Sequence, residues 1–143
     1  MIKDVLITPL KIINLENGPV LKGLKKSDEG FDCFGEAYFS MCNYMAVKAW
    51  KLHTRMTLNL IVPIGEILFV LYDCRKKSQS YNKLDEIILS KKSYSRLTIP
   101  PNVWLGFQGL SKHQNLLLNI ANLEHDPSEV KRKDLTEIKY SWR

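Results

Sequence analysis

The sequence predicts an all-β sandwich or barrel, and three observations carry that reading. Short apolar runs are separated by turn residues at intervals of roughly 8–12 positions, the rhythm of many short strands. The segment from Trp50 to Leu60 alternates apolar and polar residues, with Thr54 the one exception, the period of a half-buried strand. The one stretch that reads as helix lies in the tail.

Taken in order, Val5 to Ile13 is rich in β-branched and aliphatic residues and reads as a first strand. Asn17-Gly18-Pro19 turns the chain, and Pro19 to Leu24 resumes it. Lys25 to Gly30 is a polar loop, and Gly35 to Cys42 a strand. Ala46 to Leu60 makes one or two more, ending before a turn at Pro63-Ile64-Gly65. Ile67 to Asp73 is apolar on both faces, which predicts a central buried strand. Asp85 to Leu89 and Arg96 to Ile99 are short strands joined by Ser90 to Ser93. Val103 to Gly109 follows the turn Pro100-Pro101-Asn102, and Asn115 to Asn122 is the last clear strand. In the tail, Asp126-Pro127-Ser128-Glu129 has the form of a helix start with proline in its first turn, and predicts a short peripheral helix.

The chain has 143 residues, 45% apolar and 25% charged, and is expected to form a single domain over residues 1–143. No apolar run reaches the ~18 residues of a membrane span, so no membrane association is expected. The opening segment, Met1 to Lys11, lacks the apolar core and cleavage site of a signal peptide. Three cysteines, Cys33, Cys42 and Cys74, form no CxxC pair and fit free thiols in a reducing cytoplasm. The net charge of +6 is scattered through Lys25-Lys26, Arg75-Lys76-Lys77, Lys91-Lys92 and Lys131-Arg132-Lys133. Such clusters between apolar runs read as solvated turns. No aromatic-interleaved basic motif is present, so a nucleic-acid partner is not expected. A small anionic ligand stays open.

The polar side of the Trp50–Leu60 segment carries Lys51, His53, Arg55, Thr57 and Asn59 in a row. On an antiparallel sheet this row is either a solvent face or, in a half-open barrel, the floor of a polar pocket. His53 lies two residues from both Lys51 and Arg55. Those charges disfavour its protonation and leave an imidazole able to take a proton near neutral pH. The three histidines form no HxH or HxxxH pair, and no carboxylate sits on the row, so no metal is expected. There is also no phosphate-cradling glycine loop and no serine-nucleophile motif.

Several motifs in fixed order carry a family resemblance. They are Phe34-Gly35-Glu36-Ala37-Tyr38-Phe39-Ser40, Val47 to His53, Tyr72-Asp73-Cys74-Arg75, Thr98 to Phe107, Asn119-Ile120-Ala121-Asn122 and His125 to Glu129. Together they resemble the small cupin proteins grouped with the dTDP-4-dehydrorhamnose 3,5-epimerases. The resemblance implies a double-stranded β-helix, or jelly-roll, fold. It also implies a homodimer built through N-terminal strands, no metal or cofactor, and a nucleotide-sugar substrate. The family's Arg-Gly-Leu-His motif falls without gaps on Lys48-Ala49-Trp50-Lys51, which puts Lys51 where the family has its base. Its later histidine is replaced by Leu105, and its general-acid tyrosine falls on Leu118 or Asn119. The tail is too short for the extension that puts a carboxylate behind the family's histidine. The dTDP-sugar 3,4-ketoisomerases are a second resemblance. Their Arg-Gly-x-His-Ala-His lies over Lys48 to His53, with His53 kept, and their Ile-Pro-Pro-x-x-Trp over Ile99 to Trp104.

The resemblance implies these roles. His53 takes a proton alpha to a sugar ketone, and Lys51 neutralises the enolate or acts as the second proton carrier. Arg55 and Arg75 are candidates for the diphosphate, whose oxygens suit a guanidinium fork. Asn59 and Asn119 are candidates for sugar hydroxyls, and Trp104 serves either core packing or an aromatic wall. The alternative function is a non-catalytic sugar-nucleotide-binding cupin. Lys48 is a further binding candidate, although its parity places it on the apolar side unless the strand bulges.

Overall fold

The computed structural model describes residues 1–143 and is built almost entirely from antiparallel strands. In chain order they are β1 (Leu6–Pro9), β2 (Ile12–Ile13), β3 (Val20–Leu21), β4 (Glu36–Met41), β5 (Val47–His53) and β6 (Leu58–Ile64). They continue with β7 (Glu66–Asp73), β8 (Leu84–Ser90), β9 (Ser95–Ile99), β10 (Val103–Gly109), β11 (Leu116–Ala121) and β12 (Val130–Arg132). One sheet has the order β1-β9-β6-β11-β4, the facing sheet β12-β5-β10-β7-β8, and β2-β3 is a separate small ladder. From β5 to β11 the chain changes sheet at every connection but β7–β8. This is the jelly-roll form of a double-stranded β-helix, as the resemblance implies.

The core between the sheets is aliphatic, with Leu58, Leu60, Ile67, Phe69, Leu71, Leu97 and Leu117 all buried. A second apolar layer lies outside the β5–β10–β7 sheet, where Trp50, Leu52, Leu68, Val70 and Trp104 pack under Ile138, Tyr140 and Trp142. Strand β7 therefore contributes to both layers, which explains its unbroken apolar run. Gly65, at φ +82°, is the single residue between β6 and β7. A side chain there would run into the Gln114 carbonyl, so glycine is required by position as well as by dihedral.

The tail differs from expectation. Pro127–Glu129 is one 3-10 turn rather than a helix, and the chain then pairs with β5 as β12. Nor is the tail peripheral, since Glu129 and Ile138 are both buried. The N-terminal strand also splits, because Pro9 ends β1 and only Ile12–Ile13 resume.

Candidate active site

The alternating Trp50–Leu60 segment is not one strand. It leaves its sheet after His53 and enters the opposite sheet at Leu58. That crossing resets which parity faces inward. On β5, Trp50 and Leu52 go outward beneath the tail while Lys51 and His53 face the interior. On β6, Leu58 and Leu60 face inward and Asn59 points away. The expected row of five polar residues on one floor is therefore divided.

Lys51 and His53 line a cavity of about 380 Å³ between the sheets. Its near wall is β5, β10 and β12, with Val47, Lys48, Leu105, Phe107 and Arg132 beside them. Its far wall is β4, β11 and β6, presenting Tyr38, Ser40, Leu117, Asn119, Leu58 and Leu60. Lys48 enters through a bulge. Between the pairs Lys51–Leu105 and Lys48–Phe107, β5 has one more residue than β10. The extra residue turns Lys48 onto the same side as Lys51. Gly106 makes room for the bulge, since a Cβ there would lie 2.6 Å from Ala49 Cβ. The Lys48 ammonium spans the gap to β4 and donates to the Met41 carbonyl at 2.8 Å.

His53 is held from behind by a buried carboxylate. Its Nδ1 is paired with Glu129, which is itself only 2% exposed. The backbone N–H groups of Arg55 and Met56 both donate to Glu129 Oε2 at 3.2 Å. Burial pushes the Glu129 carboxyl up, but the bond from His53 and these two amides outweigh it and hold the group below the usual range. An ionised carboxylate only accepts, so Nδ1 carries the hydrogen and Nε2 is left as a free base. Burial lowers the His53 pKa against the pull of Glu129, and the charge on Lys51 lowers it further. Lys51 is also lowered, by burial first and then by Arg132, its cross-strand neighbour on β12. The cavity thus combines a neutral base with three cations on one wall.

Glu129 corrects the expectation that the chain is too short to back its histidine. The carboxylate arrives on the 3-10 turn, within the His125–Glu129 motif that the resemblance had marked. Arg132 was also missed, because a cation in a Lys-Arg-Lys run looks like a solvated turn. Tyr38 was quoted within its motif without a role. It faces the cavity because β4 pairs with β11 in a register that sets it opposite Asn119.

Four expected ligand contacts lie outside this cavity. Arg55 sits in the β5–β6 connection, 61% exposed, and bonds Asp126 at 2.9 Å. Arg75 grips the buried Asp73 with Nε at 2.9 Å and reaches Asp4 and the Lys3 carbonyl, tying the N-terminus to β7. Asn59 donates to the Gly30 carbonyl and accepts from Thr98, beneath the N-terminal loop. Trp104 belongs to the outer apolar layer, with the Lys133 ammonium 5.4 Å from its ring centre. The sheet crossing carries Arg55 and Asn59 away, strand parity turns Trp104 outward, and Arg75 lies in the loop after β7. His53, Lys51, Lys48 and Asn119 are brought together.

The family model for dTDP-4-dehydrorhamnose 3,5-epimerase matches residues 50–142. The chain belongs to this family. Within it, a dTDP sugar isomerase from Desulfovibrio desulfuricans G20 is 38% identical, covering 99% of this chain and 92% of that one, with a TM-score of 0.94. The probable low-salt glycan biosynthesis epimerase Agl13 of Haloferax volcanii is 26% identical over 127 residues, 87% of this chain and 81% of that protein. The spore coat polysaccharide biosynthesis protein SpsL of Bacillus subtilis is 24% identical over 124 residues, 83% of this chain and 82% of its own. As a member of the dTDP-4-dehydrorhamnose 3,5-epimerase family, this chain is an enzyme of the isomerase type.

Proposed function

We propose that this protein epimerises a nucleoside-diphosphate 4-keto-6-deoxyhexose by removing the proton alpha to the ketone, in the synthesis of cell-surface polysaccharide precursors. The observation that carries this reading is the His53–Glu129 pair at the wall of a cavity lined by Lys51 and Arg132. His53 Nε2 takes the alpha proton, and Glu129 stabilises the imidazolium that forms. The electron pair moves onto the keto oxygen, where the Lys51 ammonium neutralises it in a site shielded from water. Arg132 holds a diphosphate oxygen, since a guanidinium fork matches phosphate geometry. Lys48 and Asn119 bind sugar oxygens.

The protein acts in the cytoplasm as a homodimer. Supporting this are Ile7 and Ile13 of the N-terminal strands and Phe34 before β4, all exposed in the single chain, more apolar surface than a small barrel needs. A monomer mass by light scattering at tens of micromolar would remove the dimer.

Incubation with dTDP-4-keto-6-deoxyglucose in deuterated water tests the reaction. Deuterium at C3 and C5 with inverted centres is the expected result. Loss of the C3 hydrogen with the ketone moved to C3 and deuterium delivered at C4 makes the protein a 3,4-ketoisomerase instead. Nucleotide-sugar binding with no exchange at any carbon ends the enzymatic reading.

A further inference from the structure

An enolate made by His53 is planar, and which face receives the returning proton decides the product. Return from the same wall restores the starting sugar or, at the neighbouring carbon, shifts the ketone. Return from the opposite wall inverts the centre. The groups able to give up a proton on the near wall are His53, Lys48, Lys51 and Arg132. The far wall presents two hydroxyls, Tyr38 and Ser40. An alcohol is a far weaker acid than a phenol, which titrates near ~10, so Tyr38 is the proton source facing His53 across the cavity.

The setting of Tyr38 fits that task. Asn119, directly opposite on β11, donates its side-chain amide to the Tyr38 oxygen at 2.8 Å. Because the phenol oxygen accepts here, its own hydrogen is left for another acceptor. The same amide stabilises the phenolate once the proton has gone. Burial outweighs this bond and raises the Tyr38 pKa, so the phenol enters the reaction protonated. Asn119 Oδ1 is buried and has no partner within the chain. The general-acid tyrosine of the family aligns with Leu118 or Asn119, so the phenol here comes from the neighbouring strand.

We propose that Tyr38, positioned by Asn119, returns a proton to the face of the enolate opposite His53, so that this site inverts the alpha carbon. This rests on the epimerase reading above. The C–H bond breaks toward His53 Nε2 and its electron pair becomes the enolate. The Tyr38 O–H bond then breaks, its proton forms the new C–H bond, and the electron pair stays on the phenolate. The imidazolium and phenolate reset by exchanging one proton through solvent.

Proton exchange and inversion are followed separately by NMR in deuterated water, using dTDP-4-keto-6-deoxyglucose. With Tyr38→Phe, deuterium is expected at the alpha carbon with configuration retained, while inversion falls on the order of 10²–10³-fold. The persisting exchange shows that the variant site is folded. Asn119→Ala is expected to move the alkaline limb of inversion to higher pH, since the phenolate loses its hydrogen bond. Inversion by Tyr38→Phe within twofold of the parent overturns the proposal and leaves the His53 reading intact. A parent protein that exchanges but only shifts the ketone also overturns it. No exchange by the parent removes both.

Discussion

Glu129 reaches across 76 positions of sequence to hold Nδ1 of His53. Strand β12, which begins at the next residue, pairs with β5 so that Val130 lies opposite His53. The carboxylate is thus fixed by the same ladder that fixes the imidazole. Two backbone amides from the β5–β6 connection complete its shell, leaving Glu129 few ways to rotate.

This pairing sets two expectations. His53→Asn keeps the shape of the wall and should retain nucleotide affinity while turnover falls on the order of 10²–10⁴-fold. Glu129→Gln presents an amide that can donate to Nδ1, which moves the imidazole hydrogen to Nε2 and blocks the base. Turnover should fall by a similar factor. Residual activity should extend to lower pH, because the anion that favours imidazolium is gone. Stopped pH–rate profiles of both variants check this, and full activity in Glu129→Gln would sink the dyad.

Lys51 affects the same titration with the opposite sign. Its charge depresses the His53 pKa, so Lys51→Met should move the acid limb of kcat/KM to higher pH. It should also lower kcat by about 10²–10³-fold, because the enolate loses its counter-charge in a shielded site. An unchanged kcat with only KM raised would assign Lys51 to binding alone.

The arginines separate binding from folding. Arg132→Ala should raise KM with little change in kcat, since a diphosphate contact is alike in ground and transition states. Arg75→Ala should leave both constants nearly unchanged and instead cost about 2–3 kcal/mol of stability, because Asp73 loses charged hydrogen bonds while buried. Urea titrations and steady-state kinetics on the two variants distinguish these roles.

Much of the fold was legible because alternation and turn residues are local signals. The strands from Gly35 onward fall within a few residues of their expected places, and His53 and Lys51 share a wall because β5 really alternates there. Alternation, however, does not say when a strand changes sheets. The Trp50–Leu60 pattern is interrupted only at Thr54 and resumes past the crossing, so Arg55 falls in the connection and Asn59 on a strand whose inward parity is reversed. Glu129 was hidden for another reason, since no periodicity links a 3-10 turn to a histidine 76 positions earlier. The bulge that admits Lys48 had one sequence trace, a glycine in β10 opposite it, and its meaning appears only once the register is known.

Stability should fall in two stages as the solution is acidified. The folded-state pKa of His53 is depressed below its ordinary value near ~6.5. As pH drops from there toward the folded value, the unfolded chain binds a proton that the native protein refuses, and stability declines by at most ~1.4 kcal/mol per pH unit. Glu129 and Asp73 are likewise depressed; Asp73 accepts from Arg75, Ser78 and Ser80, which outweighs its burial. Their contribution is complete above the ordinary carboxylate range near ~4 and is lost as pH falls through their folded values. Denaturant titrations from pH 8 to pH 3 should therefore show a first decline below about pH 6.5 and a steeper one below about pH 4. In His53→Asn the first stage should disappear and the second remain. A parent stability curve that is flat between pH 7 and pH 5 would contradict the burial of a neutral His53 against Glu129.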